Sequence, residues 1–157
     1  MEKGRFGDAD KQEAAFQGLR EAIVGAVKQP LVPTGRCYGS AYIEDAQGAA
    51  SDYLTVGFLQ FPNGVVPNDT YVRLVHAAFR NRDNAVTRVR MWVARRGDPY
   101  YLVEDTPSPA AGQWYVLLKH GMRFPMVEGD NIVFEFVGDT SNDWIEGEVL
   151  GEFYETK

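Results

Sequence analysis

The chain has little that would staple, metallate or anchor it. A single cysteine, Cys37, among 157 residues excludes an intramolecular disulfide and a zinc site built on several thiolates. Two histidines, His76 and His120, make no histidine cage, and no third ligand stands at a suggestive spacing from either. No apolar run approaches the ~18 residues that a membrane-spanning helix needs. Basic residues are outnumbered, 16 Lys and Arg against 22 Asp and Glu, and the net charge of −6 argues against general affinity for nucleic acid. The charged, glycine-containing start lacks the apolar segment of a secretory signal, which implies a protein made and kept in a cytosolic compartment or released by another route. No glycine loop for phosphate is present, since Gly35 and Gly39 lack both a lysine and a following helix.

What is there suits one domain with a short appendage. Hydrophobic content of 45% in a chain of this length supports a core without disulfides or metal. Residues 1–30 read as an arm and helix, and 31–157 as a β-rich domain. Asp10 fits an N-cap with Glu13 three residues on, and Phe16, Leu19, Ile23 and Val27 then recur at helical spacing up to Pro30. Gly18 and Gly25 each weaken this helix by roughly 1 kcal/mol relative to alanine, so it needs a partner surface. That surface is either its own domain or a neighbour.

From residue 37 onward the period changes to two. Strands are predicted over 37–43, 53–61, 70–80, 85–94, 100–104, 113–119, 132–137 and 144–154. The last two carry the clearest alternation. Ile132, Phe134 and Phe136 share a face opposite Glu135, and Ile145, Val149 and Phe153 share a face opposite Glu146, Glu148 and Glu152. In the fourth strand Thr87, Val89, Met91 and Val93 read as inward, with Arg88 and Arg90 outward. Eight strands without helices between them predict an all-β, eight-stranded antiparallel jelly-roll sandwich preceded by one amphipathic helix. That topology orders the strands 1-8-3-6 and 2-7-4-5. It sets Arg88 and Arg90 beside Glu135, and Arg73 beside Glu146 and Glu148, pairings worth roughly 0.2–1 kcal/mol each. The charge asymmetry behind this, arginines in the middle third and acids at the end, has a second reading as complementary surfaces that meet between subunits.

Candidate chemistry is sparse. Cys37 reads as a small core residue. His76 falls on the Val72, Leu74 and Ala78 face as a packed or rim histidine, and His120-Gly121 as a turn. No Gly-x-Ser-x-Gly elbow supports a hydrolase triad. The run 139–143 is rich in oxygen donors but lacks EF-hand spacing and reads as a solvated turn. Glu104 and Asp105, adjacent on a strand, point to opposite faces and make no glycosidase pair. Arg96-Gly97-Asp98 fills a tight turn, and Asn68-Asp69-Thr70 is a glycosylation sequon without a signal peptide. No cofactor or metal is expected. The aromatics are more informative: Trp92 reads as outward beside the arginines, Trp144 as outward beside the glutamates, and either Trp114 or Tyr115 must face out.

The segment from Glu128-Gly129-Asp130 through Phe134, followed by Trp144-Ile145-Glu146-Gly147-Glu148-Val149-Leu150-Gly151-Glu152-Phe153, resembles the C-terminal pattern of C1q/TNF-like jelly rolls. The resemblance covers about 30 of 157 residues and implies a non-enzymatic homotrimer that binds other proteins. A small acidic jelly roll with a leading arm is also similar to bacteriophage capsid decoration, or cement, proteins. Together these imply a virion accessory protein, made in the host cytoplasm, with no nucleic acid or membrane partner. Its contacts would be Phe16, Leu19, Ile23 and Val27 on the arm and Arg88, Arg90, Trp92 and Trp144 on the roll. The alternative is a carbohydrate- or receptor-binding sandwich that stacks its ligand on Tyr100, Tyr101, Trp114 and Tyr115. An enzyme on a cupin-like roll is disfavoured, because such a site needs clustered histidines with a carboxylate.

Overall fold

A computed structural model of the chain describes residues 32–48, 51–107, 110–118 and 123–156. The predicted N-terminal helix, with Phe16, Leu19, Ile23 and Val27, lies outside the described residues, as does His120. All the strands fall within the unit Pro33–Glu155. They are β1 (Gly35–Ile43), β2 (Ser51–Val56), β3 (Thr70–Asn81), β4 (Arg88–Arg95), β5 (Asp98–Pro107), β6 (Tyr115–Leu117), β7 (Phe124–Met126), β8 (Asp130–Val137) and β9 (Ile145–Glu155). Among the described residues no helix is long and apolar enough to cross a membrane.

The strands form two antiparallel sheets packed as a sandwich. One runs β1-β9-β3-β6, with β7 also paired to β3, and the other runs β2-β8-β4-β5. Among the described residues the count is nine, where the sequence predicts eight. The predicted sixth strand stops early because Leu118 takes a left-handed backbone (φ 61), which strand geometry does not accept. The chain then returns to the same edge of β3 as β7, where Pro125 stands opposite Arg73. Proline is tolerated there because an edge strand leaves one side without ladder donors. With β6 and β7 taken as one interrupted edge strand, the two orders become 1-8-3-6 and 2-7-4-5.

Alternation explains the layers. In β9, Ile145, Gly147, Val149 and Gly151 are buried, while Glu146, Glu148, Leu150 and Glu152 are half-buried on the other side. Phe58, Leu74, Phe79, Met91, Ile132, Phe134, Phe136 and Ile145 fill the space between the sheets. Each such side chain contributes roughly 1.5–3 kcal/mol by leaving water. Cys37 is fully buried among them, and burial pushes its thiol up to about 11, so it stays a protonated core residue. Gly147 makes room for this packing. A Cβ there would come within 2.6 Å of the Phe134 ring.

Two faces differ from the sequence reading. Thr87 is exposed and precedes β4, so the inward set of that strand is Val89, Met91 and Val93. His76 does not share the inner face of Val72 and Leu74. The register of β3 on β9 slips between Leu74 and His76, and the extra residue, Val75, turns His76 outward against Glu148 at 3.1 Å.

Candidate functional site

Each sheet presents an outer face, and the two faces differ in how their polar and aromatic groups are arranged. On the β2-β8-β4-β5 sheet the register sets Tyr53, Glu135, Arg90 and Asp105 in one row across the four strands. Glu135 is buried at the centre of that row. Its carboxylate accepts from Ser51 Oγ (3.0 Å), Trp92 Nε1 (3.0 Å), Tyr53 OH (3.4 Å) and Arg90 (3.5 Å). Burial pushes the Glu135 carboxyl up. The Trp92 and Ser51 donors, the Arg90 charge and the Tyr53 hydroxyl outweigh it and hold the group below its usual range. A carboxylate with four donors is a structural hub, with no lone pair left for proton abstraction.

The β1-β9-β3-β6 face is organised differently. β1 supplies Tyr38, Ser40 and Tyr42, β9 supplies Glu146, Glu148 and Leu150, and β3 supplies His76, Ala78 and Arg80. Register aligns them in rows: Tyr42, Glu146 and Arg80; then Ser40, Glu148, Ala78 and Val116; then Tyr38, Leu150 and His76. Charges occupy the middle of the face and aromatic rings its margins. Tyr42 is 59% exposed and Trp114, just ahead of β6, is 43% exposed. Arg80 ion-pairs with Glu146 and lies over the Trp114 ring at 4.8 Å. Tyr42 stacks on Trp144 at 5.1 Å with 14° between planes, and Arg82 lies over the same indole at 4.6 Å.

The residues singled out from the sequence are therefore split. Arg88, Arg90 and Trp92 do share one face, with Arg88 3.6 Å from Asp105. Trp144 is on the other sheet's side and is half-buried, sandwiched between Tyr42 and Arg82. It does not join the other three in one contact surface. Of the stacking set, Tyr100 and Tyr101 lie on β5. Arg95 covers the Tyr100 ring at 4.4 Å, and Tyr101 stacks on Phe124 at 5.7 Å. Tyr115 turns toward the core and stacks on Phe79 at 5.5 Å, which leaves Trp114 as the outward member of that pair. Arg73 stands opposite Glu152 and pairs with it at 2.7 Å, four residues beyond Glu148, the nearer of the two partners expected from the sequence. Tyr38, Tyr42, Arg80 and Glu146 are the residues that sequence reasoning missed as a group. The Tyr-x-Ser-x-Tyr alternation of β1 was the available signal. Among the described residues no three His, Cys, Asp or Glu side chains group to hold a metal ion.

The class these observations define is an all-β, two-sheet antiparallel sandwich. No protein-family model matches the chain, and no curated protein matches it. Among solved structures it is similar to the N-terminal cellulose-binding domain of the Cellulomonas fimi β-1,4-glucanase C, with 14% identity, 79% of this chain and 90% of that chain covered, and a TM-score of 0.36. It is also similar to the K3 cleaved adhesin domain of the Porphyromonas gingivalis Lys-gingipain, with 11% identity over 73% of this chain and 99% of that chain, at a TM-score of 0.35. A CBM4 structure aligns with 11% identity over 73% of this chain and 78% of that one, at a TM-score of 0.33. None reaches a TM-score of 0.5, so the sandwich assignment rests on the strand order and register above.

Proposed function

We propose that the chain is a non-catalytic recognition module that binds carbohydrate on the outer face of its β1-β9-β3-β6 sheet, within a jelly roll whose sixth strand is interrupted. One observation carries this reading: exposed rings (Tyr38, Tyr42, Trp114) flank half-buried hydrogen-bonding groups (Arg80, Glu146, Glu148, His76) on one strand-built surface. Apolar faces of sugar rings stack on such aromatics, and hydroxyls exchange hydrogen bonds with the charged groups between them. Strands hold all of these side chains but Trp114 more rigidly than loops would, which lowers the ordering cost of binding. The virion accessory role expected from the sequence is a competing proposal. It shares the jelly roll but draws no support from this arrangement of rings and polar groups.

The test is titration of the full chain with a panel of soluble glycans, followed by tryptophan fluorescence and calorimetry. Trp114→Ala and Tyr42→Ala are expected to weaken the best binder at least about tenfold each, close to 1.4 kcal/mol. Tyr53→Ala, on the opposite sheet, leaves affinity unchanged. A panel with no binder, or a binder indifferent to both substitutions, overturns the assignment of this face.

A further inference from the structure

Asp139 stands out among the buried polar groups. It is 5% exposed, and neither of its carboxylate oxygens meets a hydrogen-bond donor. The side chain lying against it is the carboxyl of Asp52, also buried. Asp52, the second residue of β2, accepts the backbone N–H groups of Gln47 (3.1 Å) and Gly48 (3.0 Å). Among the described residues Asp143 is the other acid whose charge acts on Asp139, and its oxygens already take Asn81 Nδ2 (2.8 Å), Asn84 Nδ2 and the Thr140 N–H (2.8 Å). Two carboxylates held side by side away from water need either a cation or a proton between them. Calcium asks for six to eight oxygens, whereas a shared proton asks only for the two carboxylates, and the third acid already has three donors of its own. Asp52 has donors that favour its anion and Asp139 has none, which decides where the proton sits.

We propose that Asp139 donates a shared proton to Asp52, forming an acid-stabilised latch between the β1–β2 and β8–β9 connections. The two loops are already in close contact. Ala46 N–H donates to Asp143 O (3.0 Å) and Asn142 N–H to Ala46 O (2.9 Å). Gly48 takes a left-handed backbone (φ 66), and a Cβ there would come within 2.2 Å of Ser141 N. The latch thus closes the end of the sandwich that carries Asp143 and Trp144. It does not depend on whether the outer face binds sugar.

Burial, the Asp52 hydrogen bond and the Asp52 and Asp143 charges raise the Asp139 carboxyl from 3.8 to about 7. For Asp52, burial pushes upward, but the bonds from Asp139, Gln47 and Gly48 outweigh it and hold the group below 3.8. A raised folded-state value means that the folded chain keeps a proton the unfolded chain has lost. The Asp139 contribution is therefore full below 3.8 and is lost as pH rises through about 7. Across that window the folding equilibrium constant falls by up to about tenfold per pH unit.

The experiment is thermal unfolding of the full chain from about pH 5 to about pH 8, for the wild type and Asp139→Asn, with and without calcium. A carboxyl-carbon NMR titration of the wild type accompanies it. Wild-type Tm is expected to fall as pH rises. Asp139→Asn, whose amide donates to Asp52 at every pH, flattens that slope. One aspartate resonance should titrate near neutrality. Equal slopes in both proteins overturn the latch, as does a wild-type spectrum whose aspartates all titrate in the ordinary range. A calcium-dependent rise in wild-type Tm that Asp139→Asn abolishes replaces the proton with a cation and also overturns it. If the variant does not fold, the wild-type titration alone decides.

Discussion

Glu135 shows how much a single side chain can organise. It ties Ser51 and Tyr53 of β2 to Arg90 and Trp92 of β4 across the strand between them. Replacing it with alanine leaves the Trp92 indole N–H and the Arg90 guanidinium without their acceptor. A lost hydrogen bond to a charged group costs about 1.5–3 kcal/mol, so Glu135→Ala should lower the urea midpoint without changing the slope. Its pH signature has the opposite sign to that of Asp139. Because its folded-state value is depressed, its contribution is present above 4.5 and is lost as pH falls through the folded value. Glu135→Gln removes that acid limb from a stability–pH curve, and an unchanged limb would show that the hub carries no net charge effect. The sequence shows Glu135 as one polar residue opposite Phe134 and Phe136, which reads as an outward charge. Its burial was not legible, because Ser51 and Tyr53 come from a strand 84 and 82 residues away.

Among the elements, β9 was the most legible and β6 the least. Over residues 145–152 of β9 one face is glutamate and leucine and the other is Ile, Gly and Val, so period and burial coincide. Where they diverge, a local backbone event intervenes. The left-handed Leu118 splits one edge strand into two, and the extra Val75 turns His76 to the other face. Neither event has a sequence mark as plain as the Arg96-Gly97 turn, whose left-handed pair (φ 55 and 88) suits a tight hairpin. The glycines of β9 were legible only as weak strand formers. Packing gives Gly147 a specific role, since Phe134 of the facing sheet fills the space above it. Gly147→Ala therefore overpacks the interface between the sheets and should cost about 1–3 kcal/mol, read as a lower Tm. Gly97→Ala is a poor comparator because its φ of 88 strains any side chain. A Tm for Gly147→Ala equal to wild type would mean that the two sheets part easily at this point.

At the scale of the whole molecule, charge is matched within the sheets. Arg73–Glu152, Arg80–Glu146, Arg88–Asp105, Arg90–Glu135 and Arg95–Asp130 all pair neighbouring strands. The basic middle and acidic end of the sequence look like two halves only while the chain is drawn as a line. Strand order interleaves them, so a basic surface on one subunit facing an acidic one on the next has lost its main source. The layer order was legible because few topologies connect eight or nine antiparallel strands without crossings. The outer face was not, because its rows draw on β1, β9, β3 and β6, which the sequence separates widely. This leads to a prediction about assembly. If subunits associate, charge complementarity between the roll surfaces does not drive it, and the solution mass of the full chain should be the same at low and high salt. Light scattering at tens of micromolar measures this directly. Screening weakens exposed charge pairs beyond the Debye length, about 10 Å at 0.1 M salt. A trimer that dissociates as salt rises would place complementary charge between subunits and restore the assembly reading. A monomer at both salt concentrations leaves the Tyr38, Tyr42 and Trp114 face open to ligand.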